Sequence, residues 1–343
     1  MSKIKLHDVA REAGVSLATV DRVLNRRPGV RAKTIARVEA AVAKLNYQPD
    51  RFAARLARAR NYNFCFVLPV GPNTFMRNLS DEIATHSARM AGERVSLAIE
   101  QTDVFEPERL AETLLSLAGR YDGIATVALD HPAVTAAIDT VVEAGTLVVT
   151  LVSDAPQSKR AHFVGIDNVA AGRTAGTLLG RFSGLRMGKV GVIVGSLSLS
   201  DHIERHRGFA QIISQDFPGL TLLPARESRD DYRQTEDIAR QLIAETPDLV
   251  GIYNIGGGIR GVIAALQATG RTRSVVFICH ELTDFSRAAL VDRTADAIIN
   301  QDPGHEVRSA TRVLQALSDG LPIVPGQERI RIDIFLKDNL PQD

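Results

Sequence analysis

Apolar positions recur at helical spacing in three short segments of the first 45 residues. The pattern predicts one helix that includes Leu6, Val9 and Ala10, a second over SLATVDRVLN and a third from about Ala32 to Leu45. Gly14 supplies the turn between the first two, and Ser16 is expected to cap the second, because its hydroxyl can accept a free N–H of the first turn. Two helices joined by such a turn form a helix-turn-helix, whose second helix enters the DNA major groove. The sequence therefore predicts an all-α DNA-binding head over residues 1–47.

From about residue 61 the pattern changes to short apolar runs separated by helical segments. Runs such as NFCFVLPV, TLVVTLV and LVGIYN are typical of strands buried in a parallel sheet. Strands that alternate with helices of about 10–15 residues predict an α/β body. About ten strands are expected, which favours two parallel sheets over one.

The charges are unevenly distributed along the chain. The 343 residues carry 41 Lys and Arg against 40 Asp and Glu, a net charge of +1. Residues 1–60 hold 14 basic and five acidic side chains, a net charge of +9, whereas the remaining 283 residues hold 27 basic and 35 acidic side chains, a net charge of −8. A basic head on an acidic body indicates nucleic-acid contact by the head alone, although a solvated basic face explains the charge equally well.

Several classes of protein are disfavoured by the composition. No run approaches about 18 uninterrupted apolar residues, and the N-terminus lacks the apolar core of a secretory signal. Cys65 and Cys279 are too few for a disulfide scaffold and lack metal-ligand spacing, so both are expected to be buried thiols. We therefore expect a cytoplasmic protein without membrane contact, metal or cofactor.

The spacing of the second helix indicates which side chains it offers to DNA. Val20 is expected to face the first helix, and the exposed set is Leu17, Ala18, Thr19, Asp21 and Arg22. Arg22 could pair with guanine O6 and N7, which discriminates by about 1–3 kcal/mol, or it could contact phosphate only.

The runs LHDVAREAGVSLATVDRVLN and VEAAVAKLNYQPDRFAARLA resemble the LacI/GalR family of bacterial transcription regulators over residues 5–58. The resemblance implies a hinge helix and linker at residues 48–60, in which Leu56 would wedge between base pairs of the minor groove. The family usually has Ser at the position of Asp21, whose carboxylate could accept from cytosine N4 or orient Arg22. The DNA contacts expected on this basis are Leu6, Ser16, Leu17, Ala18, Thr19, Asp21, Arg22, Asn25, Thr34, Arg51 and Leu56.

The body resembles the effector domain of the same family, which is built like periplasmic sugar-binding proteins. Residues 61–340 would then form two α/β subdomains, residues 61–167 with 298–325 and residues 168–297 with 326–340. Ligands of open α/β sheets bind beyond the carboxyl ends of the strands, and the polar residues there suit a sugar, polyol or sugar acid. The expected effector contacts are Asn73, Phe75, Met76, Asp130, Asp154, Arg205, Asn254, His280, Glu281 and Gln301.

Within this resemblance, the run RHRGF makes Arg205 the effector-binding arginine. Ile255 replaces the usual aspartate of an Asn-Asp pair, and His280 with Glu281 stands where the family usually has an aspartate. The family further implies a homodimer on a pseudo-palindromic operator, acting as a repressor that the effector releases. The family's optional leucine-heptad tail is absent, which favours a dimer over a tetramer.

Two motifs suggest other functions. Gly256–Gly261 satisfies G-x-G-x-x-G with Glu281 20 residues beyond, as in a nucleotide-dependent enzyme. The motif falls late in the body without a catalytic partner, although a helix N-terminus there could favour an anionic effector. His202 and His206 could share a helix face and bind a metal, but no third ligand is evident. A free periplasmic binding protein would share the body, yet it would need a signal peptide and would lack the basic head.

Overall fold

A computed structural model describes residues 4–24, 28–45, 47 and 60–342 of the chain. The chain separates into two compact units, Met1–Asn61 and Tyr62–Asp343. The expected DNA contacts Asn25, Arg51 and Leu56 lie outside the described residues, as does the expected hinge helix.

Three helices pack around a small core in the first unit, which we call the head. The core is formed by Val9, Val20 and Val38, all fully buried. Gly14 ends the first helix with a φ of 60°, and Arg37 donates to the carbonyl of Ala13 at 3.1 Å, which caps that helix end. The predicted helix-turn-helix is confirmed, with α1 at Leu6–Ala13, α2 at Leu17–Leu24 and α3 at Ala32–Lys44.

The second unit, the body, begins with a five-stranded parallel sheet in the order β2-β1-β3-β4-β5. Its strands are nearly continuous apolar runs because helices cover both faces of the sheet. The elements are β1 (Tyr62–Pro69), α4 (Thr74–Met90), β2 (Val95–Thr102), α5 (Pro107–Leu117), β3 (Gly123–Thr126), α6 (Pro132–Glu143), β4 (Leu147–Leu151) and β5 (His162–Val164).

A second sheet follows, in the order β12-β11-β10-β9-β6-β7, with β8 pairing β6. Its strands are β6 (Gly188–Val194), β7 (Leu220–Leu222), β8 (Arg226–Glu227), β9 (Leu249–Asn254), β10 (Val276–His280), β11 (Ala297–Asn300) and β12 (Asp333–Phe335). The accompanying helices are α7 (Asn168–Ser183), α8 (Ser200–Asp216), α9 (Tyr232–Glu245), α10 (Ile259–Ala268), α11 (Asp284–Val291), α12 (Pro303–Ser318) and α13 (Pro325–Glu328). We call the two sheets with their packed helices the first and second lobes.

The two-sheet α/β prediction is confirmed, with two strands added. β8 has two residues, and β12 is a partly exposed strand antiparallel to β11, so neither forms the apolar run of a central strand. The chain was expected to return to the first lobe at residue 298. It returns after Asn300, because β11 pairs with β10, and α12 then packs against α4 and β4.

Two further features of the described residues bear on the earlier expectations. Cys65 and Cys279 are both free and buried in the apolar cores of the lobes, and burial raises the pKa of the Cys65 thiol to about 11. None of the described helices combines the length and the apolar character that crossing a membrane requires.

Candidate nucleic-acid interface and ligand cleft

Helix α2 presents Leu17, Ala18 and Arg22 on its exposed face, while Val20 is fully buried in the head core. Leu17 is 37% exposed although it is apolar. The N–H of Thr19 donates to Ser16 Oγ at 3.2 Å, so Ser16 caps the helix as predicted. Helix α2 therefore exposes one small, one apolar and one cationic side chain. Side chains of these kinds contact the edges of bases and thymine methyl groups.

The remaining described DNA candidates are less exposed. Leu6, Asp21 and Thr34 are half-buried, and Leu6 packs against the head core. Lys5 and Arg11 near the ends of α1, and Arg31 and Lys33 at the start of α3, are additional exposed cations of the head. The head therefore combines an exposed helix face with exposed cations, as groove-reading domains do.

A cleft lies between the two lobes of the body. Residues of both lobes line it, including Phe105, Ser153, Asp201 and His202. Six of the ten expected effector contacts are brought together here, namely Asn73, Phe75, Met76, Arg205, Glu281 and Gln301.

The other four expected contacts do not line this cleft. Asp130 is exposed on the loop before α6, and Asp154 is bound by Arg160. The Asn254 amide donates to the carbonyls of Gly256 and Gly257 at 2.7 and 2.9 Å. His280 is buried with its Nε2 2.6 Å from the Tyr253 hydroxyl, and burial holds its pKa well below the usual range.

Arg205 forms the floor of the cleft and is only 2% exposed. Its Nε donates to Asn168 Oδ1 at 2.8 Å, and its Nη1 donates to the carbonyl of Ile255 at 3.1 Å. Asp201 and Glu281 flank the guanidinium, each with one carboxylate oxygen 3.8 Å from it. Nη2 is buried without a hydrogen-bond partner among the described residues. The guanidinium is thus fixed on one side and left with one donor for a ligand.

Unpartnered acceptors surround this donor. Gln301 Nε2 donates to Glu281 Oε1 at 2.9 Å, but Glu281 Oε2, Gln301 Oε1 and Asp201 Oδ1 are buried without a partner among the described residues. Leaving one such atom unsatisfied costs about 1–3 kcal/mol. Burial also raises the pKa of Glu281 to about 7, and its φ of 69° is the left-handed conformation that side chains disfavour. These costs accumulate at one place, which indicates a ligand site.

Contacts across the mouth of the cleft join the lobes. Asn73 Nδ2 donates to Asp230 Oδ2 at 2.9 Å, and Arg229 lies 3.1 Å from Glu106 and 5.3 Å from the ring centre of Phe105. Asp230 and Arg229 were not predicted from the sequence, because they follow a two-residue strand. Asp201 was not predicted either, although its position four residues before Arg205 on α8 places both on one helix face.

The glycine-rich loop serves packing within the second lobe. The N–H of Gly257 donates to Asp230 Oδ1 at 2.7 Å, so a carboxylate already occupies that backbone donor. A Cβ at Gly258 would lie 2.1 Å from Thr235 Oγ1, and one at Gly261 would lie 2.2 Å from the carbonyl oxygen of Tyr232. The glycines let α9 and α10 approach closely, so packing alone accounts for the spacing of the motif.

The histidine pair on α8 does not form a ligand set. His202 Nδ1 lies 3.2 Å from backbone atoms of Ser196, and burial lowers the pKa of His206. Over the ranges that the structure describes, no three or more His, Cys, Asp and Glu side chains are grouped so that they could hold a metal ion.

The crossing of α7 and α8, which positions Arg205, depends on glycine. A Cβ at Gly172 would lie 1.9 Å from the carbonyl oxygen of Arg205, which is backbone and cannot rotate away. We expect Gly172→Ala to lower the free energy of unfolding of the body by about 3 kcal/mol, the upper part of the usual range for overpacking. Urea unfolding followed by circular dichroism measures this. Gly92→Ala is the matched control, because beyond its chain neighbours no described residue places an atom within 4 Å of its new Cβ. Equal stability of the two variants would contradict the packing argument.

Family models match both units of the chain. Residues 64–322 match a periplasmic binding protein domain, and residues 5–50 match the lacI family of bacterial regulatory proteins. Among curated relatives, the lactose operon repressor of Escherichia coli K12 is 54% identical over 57 residues, 17% of this chain and 16% of that protein. Catabolite control protein A of Staphylococcus xylosus is 38% identical over 85 residues, 24% of this chain and 26% of that protein. The chain thus spans at most about a quarter of the length of these relatives.

Solved structures resemble the body in fold. The glucose-galactose binding protein GanP of Geobacillus stearothermophilus superposes with a TM-score of 0.74 at 24% identity, over 82% of this chain and all of that one. A carbohydrate transporter solute binding protein of Agrobacterium radiobacter, solved with D-arabinose, gives a TM-score of 0.73 at 17% identity, over 81% and 95% of the two chains.

Proposed function

The chain belongs to the periplasmic binding protein domain family and carries a lacI-family regulatory head, and on that premise we propose that it is a transcription repressor controlled by a small carbohydrate-like effector. In this proposal the head binds operator DNA sequence-specifically, and the cleft between the lobes binds a sugar, polyol or sugar acid. The protein acts in the cytoplasm, where its DNA is.

One observation carries the proposal most strongly. A single chain joins an exposed recognition helix to a cleft with a buried donor and buried acceptors that have no partner in the described part of the chain. A DNA-binding head alone would not need such a cleft, and an uptake protein would not need the head. The head–cleft combination is that of a ligand-controlled DNA-binding protein, whose effector acts by preferring one of two conformations.

A homodimer is the proposed DNA-binding form. Two heads related by two-fold symmetry would contact the two half-sites of a pseudo-palindromic operator. Effector binding changes the closure of the lobes across Asn73, Asp230 and Arg229, and this motion would determine whether residues 48–60 of the two subunits pair on DNA.

The proposal is tested by selecting a duplex from random DNA with the full-length protein and titrating the complex with sugars. Selection of a two-fold symmetric sequence, with release of that duplex by at least one sugar or polyol, supports it. Selection of no sequence, or a duplex affinity that no carbohydrate changes, contradicts it.

Replacing Arg22 by alanine is expected to weaken binding to the selected duplex by about 5- to 150-fold, the equivalent of about 1–3 kcal/mol. Arg22 stands on the exposed face of α2, where its guanidinium can reach a guanine edge. Fluorescence anisotropy with the selected and a scrambled duplex measures the loss. Arg240→Ala is the control, since this exposed arginine pairs with Glu236 on α9 of the body. If the Arg22 variant lost equal affinity for both duplexes, its contact would be with phosphate only.

A further inference from the structure

Glu306 is fully buried in the first turn of α12, the helix that follows the return of the chain from the second lobe to the first. Neither of its carboxylate oxygens has a hydrogen-bond partner in the part of the chain that the structure describes. Glu306 does not line the cleft, so a ligand bound there would not reach it directly. Ionising such an acid is costly, because a charge taken out of water needs an opposite charge or hydrogen-bond donors.

The charges that act on Glu306 come mainly from the opposite lobe. Its helix packs against α4 and β4 of the first lobe. The charges of Glu281, Arg205 and Asp201 act on it from the second lobe, and Asp302 acts on it from the start of its own helix. Asp201 and Glu281 already flank the guanidinium of Arg205 at 3.8 Å. One buried cation thus faces three buried carboxyl groups at the junction of the lobes.

These carboxyl groups hold protons at neutral pH. Burial and the neighbouring carboxylate of Glu281 hold the pKa of Glu306 well above its ordinary value, and burial raises the pKa of Glu281 to about 7. The start of α12 favours an ionised Glu306, but a helix end stabilises a charge far less than removal from water destabilises it. With the lobes joined, Glu306 therefore keeps a proton that it would release in water.

We propose that Glu306 is a positioning residue, which holds the two lobes together as an uncharged acid and loosens their junction when it ionises above neutral pH. When the lobes part, Glu306 meets water and ionises near the ordinary pKa of a glutamic acid. Joining the lobes then takes up a proton and becomes less favourable as the pH rises, by up to about tenfold per pH unit. The inference goes beyond the proposed function, because it involves neither an effector nor DNA.

Other buried groups near the junction do not change their charge between pH 7 and 9. Burial raises the pKa values of Tyr253 and Cys279 and lowers that of His280. Burial also lowers the pKa values of His86 and His162, which lie on α4 and β5 beside α12. The remaining charged or titratable groups that face this region are Asp201, His202 and Arg205 of α8, Asp230, Asp302, Glu82 of α4, Arg308 of α12, and Glu328 of α13, which pairs with Arg312.

Urea unfolding of the body in the full-length protein at pH 6, 7, 8 and 9, followed by circular dichroism, tests the proposal. In Glu306→Gln the amide keeps the shape of the side chain and cannot ionise. From pH 7 to pH 9 we expect the folding equilibrium constant of the unchanged protein to fall at least ~10-fold more than that of this variant. At pH 6 the two proteins should be equally stable, because Glu306 is then uncharged.

Glu108→Gln is the matched control. It makes the same substitution at an exposed site in the first turn of α5, which also begins at a proline. This control should keep the pH dependence of the unchanged protein.

Spin labels on the two lobes report the opening itself. Arg109→Cys and Gln234→Cys place labels at exposed sites of α5 and α9, near the mouth of the cleft, whereas Cys65 and Cys279 are buried. We expect the distance between the labels, measured by electron–electron double resonance, to lengthen from pH 7 to pH 9. Glu306→Gln should remove most of that change.

Three results would overturn the proposal. Equal pH dependence of the unchanged protein and Glu306→Gln would mean that Glu306 carries no titrating proton. A variant that is unfolded or much less stable already at pH 6 would mean that Glu306 acts as an ionised partner of Arg205. A difference in unfolding with a constant label distance would mean that Glu306 does not hold the lobes together.

Discussion

Raising the salt concentration from 50 to 200 mM is expected to lower the affinity for operator DNA by about 10³–10⁵-fold, if the protein makes six to ten phosphate contacts. Each phosphate that a Lys or Arg neutralises releases condensed counterions, and added salt opposes that release. The net charge of +9 on residues 1–60 supplies enough cations for this number of contacts. Anisotropy titrations at four salt concentrations give the slope.

Effector binding is the internal control, because the cleft belongs to a body with a net charge of −8. An uncharged effector should bind with nearly the same affinity across this salt range. Lys33→Ala, at the exposed start of α3, should reduce the salt slope by about one if that side chain contacts phosphate. A flat slope for DNA binding would remove the electrostatic argument for the head.

The head could be predicted almost to the residue, because its elements depend on local signals. Gly14 marks a turn that needs a positive φ, and Ser16 has the hydroxyl that a helix start requires. The small core around Val20 follows from helical spacing alone. No long-range contact was needed to place these residues, and the second and third helices begin and end within two residues of the prediction.

The cleft was harder to predict, because the end of a strand tells which edge of the sheet a residue lies on but not which groups its side chain contacts. Strand ends correctly brought Asn73, Glu281 and Gln301 to one cleft. Asn254 and His280 also end strands, but they turn into the protein and satisfy the Gly256 carbonyl and the Tyr253 hydroxyl. Which polar groups turn inward depends on partners far away in sequence.

The same reason explains the residues that the sequence did not reveal. Asp230 reaches the cleft only because Gly257 and Asn73 hold its carboxylate from two lobes. Sequence spacing contains no trace of either contact. Asp201 is different, since its four-residue distance from Arg205 on a helix is visible in the sequence and could have been used.

Replacing Arg205 by alanine is expected to lower the free energy of unfolding of the body by about 3–5 kcal/mol at neutral pH, and to abolish the effector response. The change removes the cation that lies between two buried carboxylates, Asp201 and Glu281, and it leaves the Asn168 oxygen without its donor. At about 2–4 °C per kcal/mol for a domain of this size, the melting temperature should fall by roughly 10 °C. Scanning calorimetry measures the fall, and anisotropy below the transition measures DNA binding.

Two further variants separate the binding role of Arg205 from its structural one. Arg240→Ala removes an exposed arginine paired with Glu236 at 2.7 Å, and it should change stability by less than about 1 kcal/mol. Arg205→Lys keeps the charge but loses the planar fork, so it should restore part of the stability without restoring the effector response. Operator binding without effector should persist in all three variants, because the head is a separate compact unit. An Arg205→Ala variant that melts like the unchanged protein and still responds to effector would show that the guanidinium neither holds the floor of the cleft nor binds the ligand.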